Sequence, residues 1–308
     1  MGKILYGSGW FTKRWLIVGG CALFVIIVGV GLGVGLGLGL RKGEDDGESL
    51  NLPNVGNSVS GNFWQPKLGT KWQIELLYPL NDTSPDVDVF DIDVFDNDKQ
   101  IISDLQNYGK RVICYFSAGS YEEWRDDAGS FEDSDLGDPL DGWEGERWLQ
   151  ISSKNVRNIM KKRLDVAKDK GCDGVDPDNV DGYDNKNGLG LSKNDSVDYV
   201  NFLATEAHLR NLSIGLKNAG DIISSVIGQM QWSVNEQCVQ EDECDVYRQF
   251  TDKGKPVFHI EYPKGDDTNN NDPVSDAQKK KACEFYHSHN FSTLIKNMNL
   301  DNWVQNCS

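Results

Sequence analysis

Eight short runs of apolar and β-branched residues recur along the chain after residue 62, and they restrict its possible folds more than any other feature. Each run has the length of a strand, and most are separated by stretches whose apolar residues follow helical spacing. The runs are Ile74–Tyr78, Val89–Val94, Arg111–Ser117, Gly174–Asp178, Ile214–Asn218, Met230–Val234, Val257–Glu261 and Ser292–Lys296. Strands that alternate with helices pair in parallel, so the pattern predicts an α/β fold.

The stretches between the runs predict the helices of this fold. In Ser153–Lys170, Val156, Ile159 and Leu164 lie at helical spacing, and Gly171 follows as a helix stop. The other predicted helices are Asp98–Tyr108, Asp195–Asn211, Ala219–Gly228 and Asp276–His289. Residues 63–308 number 246, close to the ~250 residues of a (β/α)₈ TIM barrel, which we expect with an irregular region at the acidic segment 119–147. A doubly wound sheet has the same alternation and is the alternative.

An uncharged segment near the start predicts a transmembrane signal-anchor. Trp15–Leu40 has 26 residues without a charge, which as a helix cover about 39 Å and can span a bilayer. A cleaved signal peptide competes, but its apolar stretch is shorter and ends at a cleavage site that this segment lacks. Lys3, Lys13 and Arg14 precede the span and acids follow it, which keeps residues 1–14 in the cytosol. We expect a single-pass type II cell-membrane protein, with a flexible linker at 41–62 and residues 63–308 extracellular.

Cysteines and glycosylation sequons agree with export. Sequons occur at Asn81, Asn194, Asn211, Asn290 and Asn306. Six cysteines follow the predicted span, an even number suited to disulfides in an oxidising compartment. Among the possible pairings we expect Cys238–Cys244, Cys283–Cys307 and Cys114–Cys172. The spacing lacks the paired C-x-x-C pattern of a zinc site, so we expect no metal.

The part of the chain after the predicted span is strongly acidic. Five of the 31 Lys and Arg residues precede residue 43, whereas all 48 Asp and Glu residues follow it, so residues 43–308 carry a formal charge of −22, that is 26 minus 48. Nucleic acid is therefore excluded as a partner, because phosphate binding needs a basic surface. A neutral or cationic ligand is the natural partner.

Acidic and amide residues follow most of the predicted strands, at the end where a barrel holds its active site. By the period-two rule Asp91 and Asp93 point the same way, as do Asp176 and Asp178. Aromatic side chains nearby would stack on sugar rings. The expected site residues are Asp91, Asp93, Tyr115, Trp124, Asp176, Asp178, Asn179, Asp181, Lys217, Asn218, Glu236, Glu261 and Tyr262. Several carboxylates therefore converge on one mouth of the barrel.

Converging carboxylates suit three kinds of site. Glycoside hydrolysis uses one carboxyl group as an acid and another as a nucleophile or base. D-x-D patterns also bind Ca²⁺ or Mg²⁺ through oxygen, although the spacing of an EF-hand is absent. Asp residues also cap helices and occupy solvated loops, which explains one acid better than acids at several strand ends. A non-catalytic, membrane-tethered polysaccharide-binding barrel is the alternative to a hydrolase.

Six ordered motifs carry a resemblance to a known family. They are DIDVFD (91–96), CYFSAGSYEEWR (114–125), GCDGVDPDNVDGY (171–183), GLKNA (215–219), NEQC (235–238) and FHIEY (258–262). In this order they resemble glycoside hydrolase family 114, the endo-α-1,4-polygalactosaminidases, over nearly all of residues 63–308. The membrane-anchored arrangement is similar to that of fungal members associated with galactosaminogalactan.

The resemblance implies a (β/α)₈ barrel that cleaves α-1,4-linked galactosamine polymers internally, with retention of configuration and without a cofactor. On the matching motifs it implies Asp178 as the nucleophile and Glu236 as the acid/base. Glu261 and Asp176 are the rival assignments, and the remaining expected site residues would shape the substrate pocket. An acidic mouth fits a substrate that carries ammonium groups, whose attraction to carboxylates is screened by salt.

Overall fold

A computed structural model of the chain describes residues 63–307. The predicted cytosolic tail (1–14), transmembrane signal-anchor (15–40) and linker (41–62) lie outside the described residues. Within residues 63–307, no helix is both long enough and apolar enough to cross a bilayer.

The described residues form twelve strands and six α-helices, numbered here in chain order. The strands are β1 (Trp72–Glu75), β2 (Val89–Asp93), β3 (Arg111–Ser117), β4 (Ser120–Glu122), β5 (Leu136–Pro139), β6 (Glu146–Leu149), β7 (Gly174–Asp178), β8 (Ser213–Lys217), β9 (Trp232–Glu236), β10 (Val257–Glu261), β11 (Phe291–Lys296) and β12 (Val304–Asn306). The helices are α1 (Lys99–Asn107), α2 (Lys154–Lys170), α3 (Lys193–Leu209), α4 (Ile223–Val226), α5 (Cys244–Thr251) and α6 (Asp276–Cys283).

Nine strands make one sheet that curves into a nearly closed barrel. Their order is β1-β2-β3-β7-β8-β9-β10-β11-β12, and every pair except the antiparallel β11–β12 is parallel. Between β1 and β11 the gap is bridged by hydrogen bonds, in which Trp72 Nε1 donates to the Ser292 carbonyl (2.8 Å) and the Ser292 hydroxyl donates to the Thr70 carbonyl (2.8 Å). The eight parallel strands correspond to the eight predicted runs, so the α/β barrel prediction is confirmed at this level.

Helix α2 shows how local sequence sets the boundaries of the elements. The Ser153 side chain accepts hydrogen bonds from the backbone N–H groups of Asn155 and Val156, which begins the helix. Gly171 ends it in the left-handed conformation, with φ of 91°, which glycine adopts without a Cβ clash. The face carrying Val156 is buried against the outside of the sheet, as its helical spacing predicted.

Aromatic residues fill the barrel interior at the amino ends of the strands. The rings of Trp72 and Phe258 lie 4.9 Å apart, and Phe258 also contacts Trp232 at 6.3 Å. A Cβ on Gly215 would overlap the Trp232 ring, so a residue without a side chain is needed there. Because this packed layer closes the amino ends of the strands, polar side chains collect at their carboxyl ends.

The largest departure from the predicted elements lies between β3 and α2. Here β4, β5 and β6 form a separate antiparallel sheet, in the order β4-β6-β5, where the sequence indicated only an irregular acidic segment. We refer to Ser120–Leu149 as the insert. Its strands are three to four residues long, too short for a clear period-two pattern.

Other element predictions were wrong in length or missing. Predicted helix 219–228 consists of a 3₁₀ turn at Gly220–Ile222 followed by the single turn of α4. Predicted helix 276–289 ends at Cys283, and His287 adopts the left-handed conformation, which a helix interior does not contain. Helix α5 was not predicted, and β9 starts two residues later than the apolar run that indicated it.

Three disulfides join the cysteines in the predicted pairs. The Cα atoms of Cys114 and Cys172 are 6.0 Å apart, those of Cys238 and Cys244 are 4.7 Å apart, and those of Cys283 and Cys307 are 5.4 Å apart. The first disulfide ties β3 to the residues before β7, and the last ties the end of α6 to the residue after β12.

We predict that the Cys114→Ala/Cys172→Ala variant loses more stability than the Cys283→Ala/Cys307→Ala variant. The two disulfides close segments of 58 and 24 residues, and loop-closure entropy gives losses of roughly 4 and 3.5 kcal/mol. Urea unfolding followed by tryptophan fluorescence measures both. Equal losses, or the reverse order, would show that strain or residual structure rather than loop length controls their contribution.

Candidate active site

The ammonium group of Lys217 lies at the centre of a group of carboxylates at the carboxyl ends of β7, β8 and β9. Lys217 is fully buried, and its Nζ lies 3.4 Å from Asp176 Oδ2, 3.7 Å from Asp178 Oδ2 and 3.6 Å from Glu236 Oε2. The sum of the last two distances limits the separation of the Asp178 and Glu236 oxygens to about 7 Å. The side chains of Asp178 and Glu236 are 18% and 22% exposed, whereas that of Asp176 is inaccessible, so two of the three acids can reach a ligand.

Neutral hydrogen-bond donors fix both of the accessible carboxylates. The Tyr115 hydroxyl donates to Asp178 Oδ2 (3.0 Å), and the Tyr262 hydroxyl donates to Glu236 Oε1 (2.5 Å). Asn218 donates through Nδ2 to Glu236 Oε2 (3.0 Å) and accepts through Oδ1 from the Glu236 backbone N–H (2.9 Å). Each accessible carboxylate therefore has one tyrosine and Lys217 as partners.

Asn179 completes the support of Asp178 from the backbone. Its N–H donates to Asp178 Oδ1 (2.7 Å), which requires a sharp bend directly after β7. Asn179 makes this bend with φ of 61°, in the left-handed region that asparagine tolerates better than most residues. The side-chain amide of Asn179 donates to the hydroxyls of Ser117 (3.0 Å) and Ser120 (3.1 Å).

The protonation states in this group differ because burial and neighbouring charges differ. Burial would raise the pKa of Glu236, but the Lys217 ammonium and the hydrogen bonds from Tyr262 and Asn218 outweigh it, so the pKa is lowered. Burial raises the pKa of Asp176 to about 7 despite the opposing charge of Lys217. Burial opposes the charge on Lys217, but the surrounding carboxylates outweigh this effect and raise its pKa.

Asp91 lies deepest in the group and differs from the other acids. It is fully buried on β2, and neither of its carboxyl oxygens has a hydrogen-bond partner within the described protein residues. Burial and then the negative charge of Asp176 raise the pKa of Asp91 well above its usual range. At neutral pH the Asp91 carboxyl group is therefore uncharged. Because it is fully buried, it forms the floor of the site and does not face a ligand.

Two partly exposed carboxylates within about 7 Å of each other are the kind of pair that glycoside hydrolysis uses. A model of the glycoside hydrolase family GH114 matches residues 56–308 of the chain. The chain belongs to family GH114. It is therefore a glycoside hydrolase, as its six motifs indicated.

Solved structures agree with this assignment. The chain is 67% identical to Aspergillus fumigatus Ega3, crystallised in complex with galactosamine, with a TM-score of 0.79 over 80% of this chain and 100% of that one. The glycoside hydrolase domain of PelA from Pseudomonas aeruginosa is 11% identical, with a TM-score of 0.56 over 76% of this chain and 98% of that one, which shows a shared fold. A comparison with curated protein sequences found no match.

Two of the expected pocket residues of this GH114 hydrolase have other partners. Both oxygens of Asp93 pair with Arg125, at 3.1 and 2.5 Å, although Asp93 follows Asp91 at the period-two spacing. Glu261 is also buried, and its Oε1 lies 2.9 Å from His259 Nε2 and accepts from the Val239 N–H (2.8 Å). Asp93 and Glu261 therefore pair with Arg125 and with His259 and Val239, respectively, rather than with Lys217.

Asp181 and Trp124 are the remaining expected residues. Asp181 follows the bend at Asn179, and burial and then the charge of Asp178 raise its pKa to about 7. Trp124 lies in the turn after β4 and is 39% exposed, as an aromatic platform for a sugar ring would be.

The insert contributes residues that the sequence analysis missed. Glu122 and Arg125 are buried and pair at 2.8 Å, and Arg163 from α2 joins them through Glu122 at 3.5 Å and Asp127 at 2.8 Å. Glu146 on β6 is also buried and accepts a hydrogen bond from Ser120. The motif CYFSAGSYEEWR contained Ser117, Ser120, Glu122 and Arg125, but no spacing rule separated these residues from the exposed acids around them.

Cys238, Cys244 and His259 place their ligand atoms within 4.8 Å of one another, as a metal site would. The two sulfur atoms form a disulfide, however, so neither is a thiolate that could bind a metal.

We predict that Gly119→Ala lowers kcat by roughly 100-fold without unfolding the protein. A Cβ at residue 119 would overlap the Asn179 carbonyl oxygen, so Asn179 and the adjoining Asp178 must move, and a displacement of ~1 Å near a reacting group has an effect of this size. Steady-state kinetics and circular dichroism measure the two properties. Gly129→Ala is the matched control, because a Cβ there meets no atom within 4 Å. Equal kcat values for the two variants would contradict the prediction.

Proposed function

We propose that this GH114 protein is a membrane-anchored endo-glycosidase that hydrolyses α-1,4-linked galactosamine polymers of the galactosaminogalactan type outside the cell. Asp178 acts as the nucleophile and Glu236 as the acid/base of a retaining mechanism. The observation that carries the proposal is the pair of partly exposed carboxylates that both lie within 3.7 Å of the Lys217 ammonium.

The pair supports a two-step displacement. Protonated Glu236 gives its proton to the glycosidic oxygen while Asp178 attacks the anomeric carbon, which breaks the glycosidic bond and forms a glycosyl–enzyme ester. Glu236, now ionised, then removes a proton from water as the water oxygen attacks the same carbon and releases Asp178. The limit of about 7 Å between the oxygens includes the shorter separation typical of retaining enzymes.

Local contacts favour Asp178 as an attacking oxygen. One of its oxygens accepts from the Asn179 N–H and the other from Tyr115, so the carboxylate is held in one orientation. Glu236 must carry a proton in the first step, and its lowered pKa places this form on the acidic side of neutrality.

Charge supports an amino sugar as the substrate. Residues 43–308 have a formal charge of −22, and at the site three carboxylates surround one lysine. A cationic galactosamine unit reduces the mutual repulsion of these acids, which a neutral N-acetylated unit does not. The complex of Ega3 with galactosamine, at 67% identity, supports the same substrate class.

We predict that Asp178→Asn and Glu236→Gln each lower the release of oligosaccharides by about 10²–10⁴-fold, since each removes one of the two reacting carboxyl groups. The measurement is mass spectrometry of partly deacetylated α-1,4-galactosaminoglycan after incubation with the full-length chain in detergent. Asp86→Asn is the control, because the Asp86 side chain is 96% exposed. Bound but intact polymer with the wild type would instead establish the non-catalytic binding barrel.

Azide separates the two catalytic roles in the same experiment. With an activated aryl glycoside as substrate, azide restores turnover to Glu236→Gln and yields a glycosyl azide of retained configuration, because Asp178 still forms the ester. With Asp178→Asn azide replaces the nucleophile and yields the inverted product. The opposite pairing of variant and configuration would exchange the roles of Asp178 and Glu236.

The proposed anchor rests on Trp15–Leu40 and agrees with the three disulfides of the described domain, which are typical of an exported protein. The catalytic domain would then act on polymer at the surface of the cell that makes it.

We predict that full-length protein resists extraction from membranes by alkaline carbonate and that the Ile26→Lys/Ile27→Lys variant is extracted. Each lysine near the middle of the span costs about 3 kcal/mol of insertion free energy. Leu50→Lys/Leu52→Lys in the linker is the matched control and should stay in the membrane fraction. A soluble wild type that starts after residue 40 would instead show a cleaved signal peptide.

A further inference from the structure

A chain of hydrogen bonds connects Glu146 in the insert to Asp178 at the end of β7. The Ser120 hydroxyl donates to Glu146 Oε2 (2.7 Å), and the oxygens of Ser117 and Ser120 lie 2.5 Å apart. Both oxygens accept from the side chain of Asn179, whose backbone N–H donates to Asp178 Oδ1. Three contacts, Glu146–Ser120, Ser120–Asn179 and Asn179–Asp178, therefore separate a buried carboxyl group from the proposed nucleophile.

The hydrogen bonds that link Glu146 to Asn179 have a fixed order of donors and acceptors. Since the Ser120 proton points to Glu146, the proton between the two serine oxygens must come from Ser117. Both serine oxygens then present lone pairs to the Asn179 amide, which donates to each of them. An acceptor at Glu146 Oε2 is what orders the protons, because without it the Ser120 proton can turn back towards Ser117.

Several charged groups lie near Glu146. Glu122 on β4 and Asp178 on β7 raise the pKa of Glu146, and Arg125 lowers it. Arg125 is already shared between Glu122 and Asp93, and Arg163 between Glu122 and Asp127. The Tyr115 hydroxyl, near the same acids, donates to Asp178. Both arginines therefore form ion pairs with other acids, and neither is an ion-pair partner of Glu146.

We propose that Glu146 is a positioning residue, which accepts the Ser120 proton and thereby holds Asp178 in the reacting orientation through Ser117 and Asn179. This inference rests on the proposed function, because it assigns Asp178 as the nucleophile. Burial, followed by the charge of Glu122, raises the pKa of Glu146 to about 8. A carboxyl oxygen can accept from Ser120 in either protonation state, so the positioning role does not depend on this titration.

Glutamine and alanine at residue 146 separate this role from a general structural one. Glu146→Gln keeps a neutral acceptor for Ser120 and cannot ionise, whereas Glu146→Ala removes the acceptor. At pH 6 we expect Glu146→Gln to have the kcat of the wild type within about twofold, and Glu146→Ala to lose about tenfold in kcat with little change in KM, the loss expected for one net hydrogen bond. Glu144→Gln, two residues away and exposed, is the matched control.

Rescue by glutamine is the decisive measurement. Glutamine keeps an oxygen acceptor for Ser120, so a merely structural role of the charge would not be rescued by it. A Glu146→Gln loss in kcat equal to that of Glu146→Ala, or a Glu146→Ala variant with the kcat of the wild type, would overturn the positioning role.

Thermal unfolding at pH 6 checks that both variants are folded. An active wild type whose kcat is unchanged in Glu146→Ala defeats only the inference, whereas a wild type without product release defeats the proposed function as well.

Discussion

The charge of Lys217 is the interaction on which the rest of the site depends. Four carboxyl groups, those of Asp91, Asp176, Asp178 and Glu236, meet inside a barrel where water cannot screen them. One buried ammonium can compensate only part of this charge, so the acids separate into two classes: burial raises the pKa values of Asp91 and Asp176, whereas Asp178 and Glu236 each have Lys217 and a tyrosine as partners. The difference between the buried acids at the floor of the site and the partly exposed acids at its edge therefore follows from the shortage of positive charge.

The features that local sequence could predict are those set by period and by strand ends. Asp176 and Asp178 point inward because both lie on one side of a strand, and Lys217 and Glu236 end the next two strands of the sheet. Period alone could not distinguish Asp91 from Asp93, because Arg125, which sequesters Asp93, comes from the insert 32 residues later. Glu261 similarly has His259, two residues before it, and the Val239 backbone N–H as its partners. Period therefore predicts the side of the strand on which a side chain lies, but not the group with which it pairs.

The insert is a small antiparallel sheet that interrupts the regular alternation of strands and helices, and its contacts with the site show what it contributes. Its buried ion pairs hold Asp93 and Arg163, and its hydrogen bonds reach Asp178 through Asn179. Glycine at 119 allows the backbones to approach closely enough for this contact. The parallel sheet therefore places the carboxylates, while the insert determines how one of them is oriented.

The Cys114–Cys172 disulfide encloses both the insert and α2 within one covalent loop. Because β3 and β7 are also neighbours in the sheet, the strands that carry Tyr115 and Asp178 stay joined whatever lies between them. Changes in the length or composition of the surface part of the insert then leave this strand pair intact. The disulfide therefore separates two tasks, since the covalent link and the strand pairing hold Tyr115 beside Asp178 while the exposed part of the insert is free to differ in length.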